Sequence, residues 1–372
     1  MLSIEDNCFI HMSELKSGAL LQGGKYRIEK SLGQGGFGIT YMAEQTNLGR
    51  KVCIKEFFMK EYGERTESNA DNEATVLTAV TSAAAEVMGR YRDKFIKEAK
   101  TIARLDHPGI VRIHDVFEEN GTAYYVMDYL EGENLNEKVK REGALSEDRA
   151  LGYIRQVADA LSYVHGHNIM HLDIKPANII VRKSDDRAIL IDFGAAKQYD
   201  STGTQTSTTP IGMSAGYAPI ELMKIGGVQT FSPETDVYSL GATLYYLVTG
   251  QNPPDASDVL EEGLPEMPKQ LSPSLKTAVL NAMKTRKQRP KSVIAFLGLI
   301  DDEDEKARKE TELKALEQAE AEKRKIEEEK KKAAEEEERK KAEAKAIEEK
   351  KRGDLEKQRL EAEKKKEAEE KE

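Results

Sequence analysis

His171-Leu172-Asp173-Ile174-Lys175-Pro176-Ala177-Asn178, with Asp192-Phe193-Gly194 after it, is the stretch that decides how this chain folds. Any one of its polar residues would pass as a turn or cap residue. Together they place two carboxylates, an amide and a lysine in a short span. Moving a phosphoryl group calls for that set: metal ions to bridge phosphates and a carboxylate to orient the attacking hydroxyl. Asp173 would take the hydroxyl's proton. Lys175 would neutralise the transferring group. Asn178 and Asp192 would hold magnesium.

Upstream, Gly33-Gln34-Gly35-Gly36-Phe37-Gly38 is a glycine-rich turn. Such a motif is weak by itself and reads equally as an ordinary hairpin. The adjoining residues, Ile39-Thr40-Tyr41-Met42-Ala43, are strand-like rather than helical. A glycine turn between two strands suits a flap over phosphates, because glycines let the backbone approach them closely. Val52-Cys53-Ile54-Lys55 is the next strand, with Lys55 placed to reach α- and β-phosphates. Such a lysine needs a carboxylate to hold it. Glu98 is the candidate, on a helix whose apolar stripe is Phe95, Ala99 and Ile102.

On these residues, 26–300 resembles the eukaryotic-type protein kinase family, as also found in bacteria. The resemblance implies an α+β, two-lobed protein-kinase-like fold, with a small β-rich N-lobe and a larger helical C-lobe. It implies Mg-ATP as cofactor, with Mn2+ as the alternative ion, and serine or threonine hydroxyls of proteins as acceptors. Ala218-Pro219-Ile220-Glu221 resembles the end of an activation segment. Asp236 resembles the aspartate that anchors the catalytic loop, and Arg289 the arginine that pairs with Glu221. Met127 falls at the gatekeeper position, and Asp128, Tyr129 and Leu130 at the hinge that reads adenine. Ile180 and Cys53 fall among the adenine-site residues. Lys175 favours serine/threonine over tyrosine specificity, and Ser214 sits where such kinases carry a hydroxyl near that lysine. GQGGFGITY with IKEFF after it is most like bacterial members, which implies a role in bacterial signalling.

Several positions depart from the family pattern. Leu172 replaces an arginine that normally captures a phosphate on the activation loop. Thr40 and Cys53 replace the valine and alanine that sandwich adenine, and both are small. Cys53 reads first as a small apolar packing residue and second as a reactive thiol. Ile220 is an extra residue between Pro219 and Glu221. Ser201, Thr202, Thr204, Thr206, Ser207, Thr208 and Thr209 crowd the segment before Ser214. They read as a flexible polar loop or as sites of autophosphorylation. His165, His167 and His171 lack the accompanying ligands of a metal site. His171 is expected to pack under Phe193.

The rest of the chain is consistent with this. Its 372 residues, 38% of them hydrophobic, allow one two-lobed domain and a tail. The net charge of −10 does not suggest a nucleic-acid partner. Two cysteines, Cys8 and Cys53, fit a reducing compartment, and an acidic N-terminus without an apolar run does not fit a signal peptide. No run is apolar enough for a membrane helix. The location expected is cytoplasmic.

The expected domains are an irregular lead-in over 1–19, a kinase domain over 20–300 with its lobes divided near 130, and a tail over 301–372. Within the domain the patterns predict strands to about residue 59, then a polar loop insertion at 60–78. A helix runs from about Thr81 to Leu105, followed by a hairpin turning at Glu119-Asn120-Gly121. A helix capped by Ser146 runs to about His165. Residues 178–191 form a hairpin, and further helices lie at about 235–249 and beyond 272. In the tail, 28 acidic and 23 basic side chains take 51 of the 72 positions, in alternating blocks. Offsets of three and four support helix. The few apolar residues keep no heptad, so a solitary charged helix or a disordered spacer is expected before a coiled coil, with docking or self-association as its use.

Two other readings stay open on sequence alone. One is a pseudokinase scaffold, against which Lys55, Asp173, Asn178 and Asp192 argue. The other is a small-molecule kinase of the aminoglycoside or choline type, which generally lacks both the serine/threonine-rich segment and the Glu221–Arg289 pair.

Overall fold

The computed structural model describes residues 14–36, 38–67, 75–193, 197–198, 214–223 and 231–301, with isolated positions between 352 and 364. Two compact units divide the chain, Met1–Asp301 and Asp302–Glu372. In the second, the described positions are 352, 353, 355–357, 359, 362 and 364; all are helical and exposed.

The first unit opens with strands β1 (Leu20–Leu21), β2 (Tyr26–Gly35), β3 (Gly38–Gln45) and β4 (Arg50–Phe57). The segment expected as a loop insertion is instead an antiparallel hairpin, β5 (Gly63–Glu67) and β6 (Thr75–Ala79). Its polar sequence hid it, because Arg65 on β5 is fully buried. The guanidinium donates to Glu56 Oε2 at 2.6 Å, and Glu56 also accepts from the hydroxyls of Tyr41 and Tyr124. A buried charge is tolerated only when paired and hydrogen-bonded like this.

Helix α1 (Ser82–Ile102) follows, with the Thr81 side chain accepting from Ala84 N at 3.0 Å as its N-cap. Strands β7 (Ile113–Glu119) and β8 (Thr122–Asp128) are joined through Asn120 and Gly121, both at positive φ. That is the mirror-image turn which matches strand twist. Strand order in the resulting six-stranded sheet is β1-β2-β3-β4-β8-β7. Leu15, near the end of the lead-in, is buried against it, its N–H donating to the Tyr41 hydroxyl.

The second lobe begins at β9 (Gly132–Asn134), where a Cβ on Gly132 would lie 2.1 Å from the Val181 carbonyl oxygen. Helix α2 (Leu135–Glu142) starts at a capping box formed by Asn134 and Glu137. Helix α3 (Glu147–Gly166) presents an apolar face to the core. After β10 (Ile169–Met170) comes the hairpin of β11 (Ile179–Arg182) and β12 (Arg187–Leu190), followed by the short β13 (Lys197–Gln198). Helix α4 (Pro233–Thr249) is buried nearly all round and ends on Gly250 in the left-handed region. A helix apolar on every side belongs at the centre of a lobe. Helices α5 (Ala256–Glu261), α6 (Pro273–Ala282) and α7 (Val293–Leu297) complete the bundle.

One buried ion pair ties the bundle together. Arg289 donates to both oxygens of Glu221, at 2.5 and 3.0 Å, and stacks over Tyr238. Breaking a buried pair by removing one partner typically costs about 3–5 kcal/mol. Arg289→Met should therefore lower the unfolding free energy of the domain by an amount of that order, read as a fall in its urea midpoint, and Arg289→Met with Glu221→Leu should recover part of it. An unchanged midpoint for the single variant would contradict this account.

Candidate active site

Strand alternation sorts β4 and β8 into two faces. Cys53 and Lys55 on β4 lie opposite Met127 and Tyr125 on β8. Cys53, Lys55 and Met127 line a cleft of about 880 Å³, and Tyr125 lines a small adjoining pocket that shares Lys55 with it. Ile54, Glu56, Tyr124 and Val126 point the other way, into the lobe's own core.

The glycine turn roofs this cleft. Gly33, Gln34, Gly35, Gly36 and Gly38 line it, with Thr40 and Cys53 behind them. Phe37 lies outside the described residues. A Cβ on Gly38 would sit 2.5 Å from the Glu56 carbonyl oxygen, so glycine is required there by the approach of β4. Burial pushes the Cys53 thiol up to about 12, which favours the packing role over the reactive one. At the back stand Met127, Asp128, Tyr129 and Leu130, and Ile180 lies on the floor. The Asp128 N–H donates to the Arg112 carbonyl, and its carboxylate meets His114 Nε2 at 2.6 Å.

The catalytic loop is shaped by Asp236 on α4. Its buried carboxylate accepts from His171 N at 2.9 Å and Leu172 N at 2.8 Å, and meets His165 Nε2 at 2.7 Å. Burial alone would raise this carboxyl. The bonds from His165 and the loop backbone outweigh burial and hold it below its ordinary range. Leu172 sits at φ +64, a left-handed conformation that costs an ordinary residue about 1–2 kcal/mol. Its side chain is buried against Met170 and Phe231. His171 packs on Phe193 with ring centroids 4.5 Å apart, as its position suggested, and burial lowers its basicity.

Beyond that strained residue the polar side chains converge. Lys175 Nζ is 2.9 Å from Asp173 Oδ2 and donates to Ser214 Oγ at 2.8 Å. Ser214 in turn donates to Asp173 Oδ1 at 2.7 Å. Asn178 Nδ2 donates to the Asp173 carbonyl at 2.9 Å and to its Oδ2 at 2.8 Å. The Asp173 carboxylate is thus held by a lysine, a serine and an amide at once.

Lys55 reaches Asp192 Oδ1 at 2.6 Å. Glu98, expected to hold this lysine, lines the same cleft from α1, but the carboxylate that dominates the charge on Lys55 is Asp192. Burial acts to lower the ammonium. Asp192 and Tyr125 outweigh it and keep the ammonium above its ordinary range. Asp192, like Leu172, has a positive φ, of +55, which aspartate tolerates better than most residues.

Sequence reasoning missed Tyr91 and Lys94, which also line the cleft, and Tyr125 in the small adjoining pocket. The signal for Tyr125 was available: it stands two residues before Met127, on the same strand face. The serine- and threonine-rich positions from Ser201 to Thr209, and Gly194, lie outside the described residues. Among those described, no cluster of three or more His, Cys, Asp or Glu side chains could hold a metal. No helix among them is long and apolar enough to cross a membrane.

Comparison with known proteins agrees with this geometry. Residues 79–321 match the family model described as the protein kinase domain; the glycine turn and Lys55 lie ahead of the matched span. Serine/threonine-protein kinase B of Synechocystis is 32% identical over 264 residues, 68% of this chain and 42% of that protein. Serine/threonine-protein kinase PknJ of Mycobacterium tuberculosis is 34% identical over 243 residues, 64% of this chain and 36% of that protein. PknA of the same species is 32% identical over 260 residues, 68% and 54% of the two chains. The chain therefore spans about half or less of the length of these relatives. A solved structure described as the PpkA-294 apo form superposes with a TM-score of 0.64 at 27% identity, covering 78% of this chain and all of that one.

The Asp236 carboxylate generates a testable expectation. A group whose carboxyl is depressed on folding stabilises above its unfolded value, here 3.8, and loses that contribution as pH falls through the lower folded value. Asp236→Asn should cost about 1.5–3 kcal/mol in urea unfolding at pH 7. The gap from wild type should narrow below about pH 4 as the wild-type carboxyl protonates. A gap that is constant with pH would count against the charged anchor.

Proposed function

The chain belongs to the protein kinase family, and from that footing we propose that it transfers the γ-phosphoryl group of ATP to serine or threonine hydroxyls of proteins. The observation that carries this reading is the Asp173 carboxylate, held by Lys175, Ser214 and Asn178 at the mouth of a cleft that also contains Lys55 and Asp192. Asp173 orients the attacking hydroxyl and accepts its proton. Lys175, already bridged to Asp173 and Ser214, faces the incoming phosphoryl group. The names of the bacterial relatives support serine/threonine specificity.

The donor set suits magnesium. Asp192 offers a carboxylate, and Asn178 offers its amide oxygen, its nitrogen being engaged by Asp173. Both are hard oxygen ligands, and Mg2+ at kinase sites takes few protein ligands plus the substrate's phosphates. When bound, such an ion would neutralise charge on the β- and γ-phosphates. Lys55 is now the counter-ion of Asp192; with nucleotide in place it is freed toward the α- and β-phosphates. Asp128 would meet adenine through its carbonyl, since its N–H is already engaged.

Leu172 separates this activity from phosphate control of the usual kind, because an apolar cluster stands where a guanidinium would bind the phosphate. The scarcity of cysteine supports a cytoplasmic setting. The charged segment beyond Asp302 suits a spacer or a docking element.

The test is transfer from [γ-32P]ATP to generic protein substrates. Wild type should label serine and threonine, and Asp173→Asn should fall by at least about 10³-fold, the loss of a positioned base together with its partners. Nucleotide binding without transfer by the wild type would favour a scaffold. Equal transfer by both would refute the role of Asp173.

A further inference from the structure

Lys55 and Tyr125 are direct partners across β4 and β8. Residues so opposed project from one face with Cβ atoms about 5 Å apart. Here both side chains line a small pocket of about 30 Å³ beside Glu98 and Asp192, three of whose residues, Lys55, Glu98 and Asp192, also line the large cleft. Tyr125 is 8% exposed, and its ring packs on Phe95 of α1 at 5.0 Å. A phenol in a sheet, pinned by a neighbouring ring, has little freedom. Its hydroxyl lies close enough to the Lys55 ammonium for each to act on the other's charge, within reach of a hydrogen bond. An ammonium can only donate, so the phenol oxygen accepts.

Lysine has a flexible four-carbon stem that must be immobilised to act at a fixed point. Asp192 holds it in this structure, but a metal-bound nucleotide takes that carboxylate for itself. A neutral acceptor on a rigid strand fixes the ammonium and leaves its charge intact. Burial pushes the Tyr125 phenol up to about 12, against the pull of Lys55, so it stays neutral at physiological pH.

We propose that Tyr125 is a positioning residue for nucleotide phosphates, its hydroxyl steadying Lys55 at the depth where the α- and β-phosphates bind. This rests on the reading of the cleft as an ATP site. The adenosine moiety does not reach Lys55, so the effect is specific to phosphates.

Calorimetric titration of the full chain with Mg-ADP and with adenosine tests it, using wild type, Tyr125→Phe, Lys55→Met and the double variant. Tyr125→Phe should weaken Mg-ADP by about tenfold, the range for a hydrogen bond to a charged group. It should leave adenosine within about twofold, which also shows that the pocket is intact. In the Lys55→Met background the same change should have no effect on Mg-ADP. Unchanged Mg-ADP affinity overturns the proposal. So does an equal loss for adenosine, or a loss that persists without Lys55. A wild type that binds neither ligand overturns the nucleotide-site reading itself, and the role of Tyr125 with it; a wild type that binds both while the variant matches it overturns only the latter.

Discussion

A single buried carboxylate, that of Asp236, sets the conformation on which the site depends. It gathers two consecutive backbone N–H groups and an imidazole, and so holds Leu172 in a left-handed turn that leucine would otherwise avoid. Because the turn is there, Asp173 emerges toward the cleft rather than into the lobe. Lys175, Asn178 and Ser214 then close on it from three directions. The carboxylate itself is carried by the most deeply buried helix of the lobe, so the strain of the loop is borne by the bundle core rather than by the site.

A comparable division of labour runs through β4. Lys55 faces the cleft and the adjacent Glu56 faces the core. Glu56 is fixed by two tyrosine hydroxyls and by Arg65 from the inserted hairpin. Strand alternation means that the position of Lys55 is set from the side opposite to the cleft. The hairpin also meets the β7–β8 turn, with the Leu77 N–H donating to the Asn120 carbonyl. One small insertion thus braces two neighbouring strands of the sheet.

Much of this was legible in the sequence, and the reasons differ by element. The catalytic loop could be read because its residues are close in sequence and chemically unusual as a set. The helices could be read from period and caps, as at Thr81 and Gly250. The inserted hairpin could not, because its apolar residues are few and one of its deepest side chains is the arginine Arg65, and nothing local says that an arginine will be buried. The ion pair of Lys55 with Asp192 could not be read either, because Glu98 and Asp192 both reach the cleft and only the fold brings Asp192 to 2.6 Å. Tyr125 was passed over because a tyrosine in a strand looks like packing until its cross-strand partner is known.

Cys53, in the roof of the cleft, has a consequence for chemistry of another kind. Thiols are attacked by peroxide and alkylating agents as thiolates. With its pKa pushed up to about 12 by burial, this one is ionised at pH 7 to about one part in 10⁵. A nucleotide site roofed by cysteine would ordinarily be a point of oxidative inactivation. Here the same burial that packs the sulfur over the cleft disfavours the thiolate through which such attack proceeds.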